Sequence, residues 1–156
     1  MINFLLDLNE FKKTLLKIDD LKIIEISNRL SIECYKYDII KLIENFNKEY
    51  DWDGMFTYED VIKRIESFHF MYVLFYKRNC IGYVFYQPLS KNDFWLYNLY
   101  VSNQIERSSE FPIWFVNQSI TNLCNLRKNI KYISCECEDW HTSAHNVFLS
   151  NNFKKI

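Results

Sequence analysis

Between Phe94 and Phe153 the chain switches between two hydrophobic periods with no long interruption, and this stretch limits what it can fold into. Trp95-Leu96-Tyr97-Asn98-Leu99-Tyr100-Val101 is aromatic and branched, without a breaker, which reads as a strand buried on both faces. A polar loop follows, Ser102-Asn103-Gln104-Ile105-Glu106-Arg107-Ser108-Ser109-Glu110. Pro112 then opens a helix, where a missing N–H costs nothing, and Ile113, Val116, Ile120, Leu123 and Cys124 give that helix one apolar face. Ile130–Cys137 reads as a second strand. Ala144, Val147 and Phe148 mark a last short helix that Thr142 or Ser143 can cap, with Asn151 and Asn152 as left-handed terminators. Strand, crossover helix and parallel strand make a right-handed unit, whose ligands sit beyond the carboxyl ends of the strands. Here that end is the Ser102–Phe111 loop and the helix start after it. Free N–H groups and the helix dipole favour an anion there, so the expected ligand carries a phosphate or pyrophosphate.

The remaining elements come from local pattern. Phe4, Leu5, Leu8, Phe11, Leu15 and Leu16 fit helical spacing and predict a helix over residues 2–18, with the whole chain, 1–156, as a single domain. Leu21–Ile26 is a short strand, and Ile39, Leu42, Ile43 and Phe46 set a second helix. After the loop Asp51-Trp52-Asp53-Gly54-Met55-Phe56, Thr57 and Asp60 form a capping pair for a third helix carrying Val61, Ile65 and Phe68. Met71–Tyr76 and Cys80–Tyr86 predict a hairpin turning at Lys77-Arg78-Asn79. Gly82, inside the second of these strands, marks a bulge or a close backbone approach.

Composition narrows the function classes. With 19 Lys and Arg against 20 Asp and Glu, there is no general electrostatic footprint for nucleic acid. No apolar run reaches the roughly 20 residues that cross a bilayer, and charges at Asp7, Glu10, Lys12 and Lys13 break any leader-like pattern, so no membrane role is expected. Five cysteines, an odd number without framework spacing, suit free thiols in a reducing compartment, and the expected location is the cytoplasm.

The order past the first helix, and the segment His141-Thr142-Ser143-Ala144-His145-Asn146-Val147-Phe148 through Asn152-Phe153, resemble the GNAT (N-acetyltransferase) superfamily. That segment is similar to the family's Asn-x-x-Ala-x-x-Leu-Tyr-x-x-x-Gly-Phe pattern. Ala144, Val147 and Phe153 match it, and His141, Phe148 and Asn152 depart from it. Gly82 falls where the family has a glycine early in its third strand. The resemblance covers about Leu21 to Phe153. It implies an α/β fold with a mixed sheet, antiparallel strands first and a parallel β-α-β unit after. The sheet is expected to be truncated at the C-terminus, because the chain stops at Ile156 where the family adds a hairpin.

It also implies acetyl-CoA, or another acyl-CoA, as donor and an amine-bearing acceptor. The donor would lie along Leu99, Tyr100, Val101, Arg107, Ser108, Ser109, Glu110, Phe111, Ala144 and Phe148. Against the family's glycine-bearing donor loop stand Glu106, Ser109 and Phe111. Phe148 replaces the tyrosine that protonates the leaving thiolate, and Tyr97 replaces a glutamate base. Tyr97 and His141 remain as groups able to move a proton. Asp51, Trp52 and Asp53 lie where the family binds acceptor, with carboxylates for a cationic amine and an indole to stack on it. Cys135-x-Cys137 with His141 and His145 invites a zinc reading, but the thiol spacing is too short for a structural site and no metal is expected. Two functions remain: a divergent acyl-CoA-dependent N-acyltransferase, or a catalytically inactive GNAT-fold scaffold. The second would form a homo-oligomer or bind a protein partner through the sheet edge that truncation leaves open.

Overall fold

The structure, a computed structural model, describes residues 1–50, 56–103 and 109–156. Among these residues it has seven strands and five helices: β1 Ile2–Asp7, β2 Leu21–Ile26, α1 Arg29–Cys34, α2 Lys36–Glu49, α3 Tyr58–Glu66, β3 Phe70–Tyr76, β4 Asn79–Pro88, β5 Asp93–Val101, α4 Glu110–Leu126, β6 Tyr132–Cys137, α5 Thr142–Ser150 and β7 Lys154–Lys155. The strands form one mixed sheet in the order β2-β3-β4-β5-β6-β1-β7. The chain divides into two compact units. One comprises the described parts of Met1–Lys17, Tyr86–Tyr97 and Arg107–Ile156, the other those of Ile18–Phe85 and Asn98–Glu106. The strands β4 and β5 run from one into the other.

In the second unit, β2 pairs antiparallel with β3, from Leu21 opposite Tyr76 to Ile26 opposite Met71. Met71–Leu74 are completely buried without alternation, as a strand covered on both faces must be. The helix α2 buries its expected stripe, Ile39, Leu42, Ile43 and Phe46. Thr57 and Asp60 close a full capping box on α3, each side chain meeting the other's backbone N–H. A second box, Asn28 with Ser31, starts the short helix α1, which periodicity did not reveal because six residues are too few to show a stripe.

In the first unit, residues 2–18 are not a helix. Ile2–Asp7 form β1, antiparallel to β6 from Ile2 opposite Cys137 to Asp7 opposite Tyr132. Phe4 and Leu6 are fully buried, a period of two that the wider apolar stripe disguised, and Leu15, counted in that stripe, is 93% exposed. Long-range pairing overrides the local period. β1 also moves the expected open edge outward from β6, because it fills the place beside β6 and in turn pairs with β7 (Phe4 with Lys155, Leu5 with Lys154). The sheet ends at β2 and β7.

Residues 8–10 turn after β1 and the chain then runs without regular structure to Lys17 as a strap, whose backbone is met by buried Asn117, itself held by buried Asn151. Asn117 Oδ1 accepts from the Thr14 N–H at 2.9 Å and its Nδ2 donates to the Lys12 carbonyl at 3.0 Å. That Nδ2 also reaches Asn151 Oδ1 at 3.1 Å, while Asn151 Nδ2 donates to the carbonyls of Ile113 and Val147. Trp114 Nε1 donates to the Leu16 carbonyl at 3.1 Å. The core of this unit lies under Phe111, Phe115, Val116, Ile120 and Leu123 of α4, a face turned slightly from the expected one, since Ile113 and Cys124 are only half-buried. Ser119 is tolerated there because its hydroxyl meets that of Tyr86 at 2.6 Å and donates to the Val116 carbonyl. Asn152 terminates α5 with φ 67°, as its residue type favours.

Candidate functional site

The strand β5 carries the geometry most relevant to a ligand. Its parallel register with β6 covers Asp93–Trp95 opposite Tyr132–Ser134. Asn98, three residues on, has φ 50°, a left-handed residue that kinks the backbone locally inside the strand. On the β4 side the end of β5 is held closely. The Ser102 N–H donates to the Ile81 carbonyl at 2.7 Å, and a Cβ built on Gly82 would stand 2.7 Å from the Tyr100 carbonyl oxygen. Gly82 therefore marks a close backbone approach; the left-handed bend lies at Asn98.

Within the first unit, Tyr97 is half-buried and engaged with neighbours. Ser109 is the N-cap of α4, with helical φ and ψ and no side-chain cap bond, and Glu110 places an acid in the first turn. Phe111 is 6% exposed, so the first turn sends its ring into the fold. His141, rather than Thr142 or Ser143, is the N-cap residue of α5, without a side-chain cap bond, and its ring stacks on Trp140 at 5.2 Å. Burial, helped by nearby His145, lowers its pKa from the ordinary histidine value. Ala144 is half-buried. Phe148 packs between Phe4 at 5.4 Å and Phe153 at 5.5 Å, a core ring with no proton to offer.

The strap adds residues that no motif pointed to. Lys12, Lys13, Thr14 and Leu16 line a cavity of about 370 Å³ with Glu110, Ile113, Trp114, Asn117, Ser150, Asn151 and Asn152. A reading of 2–18 as a helix hid this, since it gave the two lysines no place in a site. With a strand and a strap in place of a helix, Lys12 and Lys13 line one cavity with Glu110, Ile113, Trp114 and Asn117 of α4.

In the second unit, Leu99 is half-buried, while Tyr100 and Val101 are buried. The Tyr100 ring meets Phe46 at 5.3 Å, Tyr83 at 5.6 Å and Tyr50 at 6.1 Å. Burial pushes its phenol well above the ordinary range, and that of Tyr83 likewise. Glu49, the last residue of α2, accepts through Oε1 from the Ser102 hydroxyl at 3.3 Å and the Asn103 N–H at 3.2 Å. A glutamate closing a helix gives no motif, so sequence reasoning missed it. Arg107, Ser108 and Glu106, and the acceptor candidates Asp51, Trp52 and Asp53, lie outside the described residues.

Cys135 is buried in β6, and burial raises its thiol and that of Cys137. His145 Nε2 meets the Glu138 carbonyl at 3.0 Å. Among the described residues no group of three or more His, Cys, Asp or Glu is placed to hold a metal ion, and no helix is long and apolar enough to cross a membrane.

No protein-family model matches the sequence, and no curated protein matches it. Solved structures do match the fold. A tandem GNAT protein from the clavulanic acid biosynthesis pathway superposes with a TM-score of 0.68 at 10% identity. The match covers 99% of this chain and 49% of that one, so this chain spans about half of that protein's length. An acetyltransferase of the GNAT family from Staphylococcus aureus Mu50 gives 0.64 at 21% identity, over 87% of this chain and 85% of that one. An aminoglycoside acetyltransferase from an uncultured soil metagenomic sample, in complex with trehalose, gives 0.62 at 18%, over 86% and 90%.

Proposed function

Taking as premise that the chain has the GNAT fold, we propose that it is an acyl-CoA-dependent N-acyltransferase, passing an acetyl or longer acyl group to an amine. The observation that supports this most is the form of β5, parallel to β6 over Asp93–Trp95 and then bent at left-handed Asn98. When bound, acyl-CoA supplies the thioester carbonyl that the amine attacks, giving an amide and the free thiol. The main chain of Leu99–Val101, beyond the bend, takes the role of holding the carbonyl oxygen as its charge develops. Lys12, Lys13 and Trp114 suit a phosphorylated ligand bearing an aromatic base, since ammonium groups neutralise phosphate and an indole stacks. Ser109 and Glu110 offer backbone N–H groups at the α4 start.

His141, neutral near pH 7 because burial lowers its pKa, is the assigned proton acceptor, with Tyr97 as a second proton-carrying group. Phe148 gives no acid, so rate comes mainly from positioning. Asp51, Trp52 and Asp53 keep their assignment to the acceptor. An amine acceptor also agrees with the aminoglycoside acetyltransferase among the similar folds. Free cysteines at all five positions support a reducing, cytoplasmic setting. For the inactive-scaffold reading, the open sheet edge lies at β1 and β7 rather than at β6. The test is a thermal melt with acetyl-CoA and with a longer acyl-CoA, followed by thiol-release assays over a panel of amines. A rise in melting temperature and amine-dependent thiol release are expected; no shift at saturating acyl-CoA overturns the reading.

A further inference from the structure

The strand β6 of the first unit has surfaces of opposite charge at its two ends. At its start, the turn 89–92 is tied to the chain entering the strand, because the Asn92 carbonyl accepts from the N–H groups of Lys131 at 2.7 Å and Tyr132 at 3.2 Å. Lys91 of that turn lines a cavity of about 430 Å³ with Leu126, Arg127, Lys128 and Asn129. Lys131 is exposed on the same end, and so are the apolar side chains of Leu89, Leu126 and Tyr132. Among the described residues no carboxylate pairs with Lys91, Lys128 or Lys131. The two acids in register with Tyr132, Asp7 and Asp93, are engaged locally, Asp7 by the Asn9 N–H and Asp93 by the Ser90 hydroxyl, both at 2.9 Å. At its other end the strand carries Glu136 and runs into Glu138, Asp139 and Trp140, all exposed, the last to 70%. Asp139 meets the N-terminal ammonium at 3.1 Å, and Glu136 and Glu138 have no ion-pair partner among the described residues. Six residues of strand put about 20 Å between the two ends.

We propose that the partner for both surfaces is a second copy of this chain, the basic end of one copy docking on the acid end of the next. The ends are complementary in charge, and each adds exposed apolar side chains that lose water in the contact, Leu89, Leu126 and Tyr132 on one and Trp140 on the other. Because the two surfaces differ, the contact is head to tail, and a pair of copies keeps one basic and one acid end to which further copies add. A free phosphate would meet the ammonium groups and leave the apolar side chains wet. An unrelated acidic partner would account for the basic end and give the Glu138–Trp140 end no role. The Trp140 ring stacks on His141, so each contact sets the lysines of one copy beside that residue of the next. A contact held chiefly by exposed charges is weak and sensitive to salt.

The experiment is sedimentation velocity of the whole chain over a concentration series, at about 30 mM and about 500 mM salt. It compares wild type with two double variants, Lys91→Ser with Lys128→Ser and Glu136→Gln with Glu138→Gln. All four positions are exposed, so both variants should fold, and thermal melts close to wild type check this. Wild type should grow in average mass with concentration at low salt and return to single chains at high salt. Each double variant alone should associate about tenfold or more weakly, since one side of every contact has lost its charge. Mixed in equal amounts, the two variants should form a pair and nothing larger. The acid end kept by the first meets the basic end kept by the second, and the neutralised ends do not extend the pair. A wild type that stays a single chain at low salt, association unchanged in either variant, or a mixture that fails to pair or grows beyond pairs would each overturn the proposal. So would binding of poly-glutamate or of phosphatidylserine vesicles by a chain that does not self-associate, which assigns the basic end to another partner.

Discussion

Replacing Gly82 by alanine sets two opposed effects against one another, and the geometry decides the sign. Alanine restricts the unfolded chain more than glycine and by that route alone stabilises by about 0.4–1 kcal/mol. The added methyl, however, would lie 2.7 Å from the Tyr100 carbonyl oxygen, 3.2 Å from Val101 Cγ2 and 3.4 Å from Val101 Cα. The first of these is main chain and cannot rotate aside. Relief requires the end of β5 to move away from β4, which stretches the 2.7 Å bond from the Ser102 N–H to the Ile81 carbonyl. Forcing a methyl into packed surroundings costs about 1–3 kcal/mol, so the net expectation is a loss of about 1–2 kcal/mol. For a chain of this length that lowers the melting temperature by about 3–8 °C. Circular-dichroism melts and urea titrations with an unchanged slope check the value, and hydrogen exchange at Ser102 should quicken. A melting temperature equal to or above wild type would show that β4 and β5 are not in the close approach described.

Asn151→Ala should cost about 2–4 kcal/mol by urea titration, because it strips partners from the Ile113 and Val147 carbonyls and from buried Asn117; exposed Asn152→Ala should cost less, about 1–2 kcal/mol, chiefly because alanine tolerates φ 67° poorly. The double reversal Lys12→Glu with Lys13→Glu should weaken acetyl-CoA binding about tenfold or more in calorimetry, and more at low salt than at high; unchanged affinity would remove these lysines from the donor site. Burial lowers the folded-state pKa of His69 and His141 from 6.5, so between 6.5 and that lower value the unfolded chain binds protons that the fold does not. Stability should be full above about pH 6.5 and fall as pH drops below it, and His141→Gln should flatten that slope in melts taken from pH 7.5 to 5.5.

The elements legible in the sequence were those whose neighbours in space are also neighbours in sequence, or whose burial is complete. The Ile39–Phe46 stripe, the Thr57–Asp60 cap, the β5 run and the Asn152 terminator each declare themselves within a few residues. Phe4 and Leu6 could not, since the partner that makes them a strand lies at Cys135 and Ile133. The candidate site divides the same way. Tyr100, Phe111, His141 and Phe148 were named through a motif, whereas Glu49, Tyr83, Lys12 and Lys13 matter through placements that a local pattern cannot encode. Phe148 has no acidic proton, and the structure adds that its ring belongs to the packing with Phe4 and Phe153.

The pairing of β1 also has a consequence for how the first unit is made. Its earliest residues emerge from the ribosome with no strand to join. Glu10 meets Lys154 across 144 positions of sequence, and Thr14 meets Asn117 across 103. Closing such distances is slow, and a bare strand waiting for its partner exposes Phe4 and Leu6 meanwhile. Synthesis of this unit therefore ends with its assembly, when β6 and β7 finally arrive and the first strand is enclosed between them.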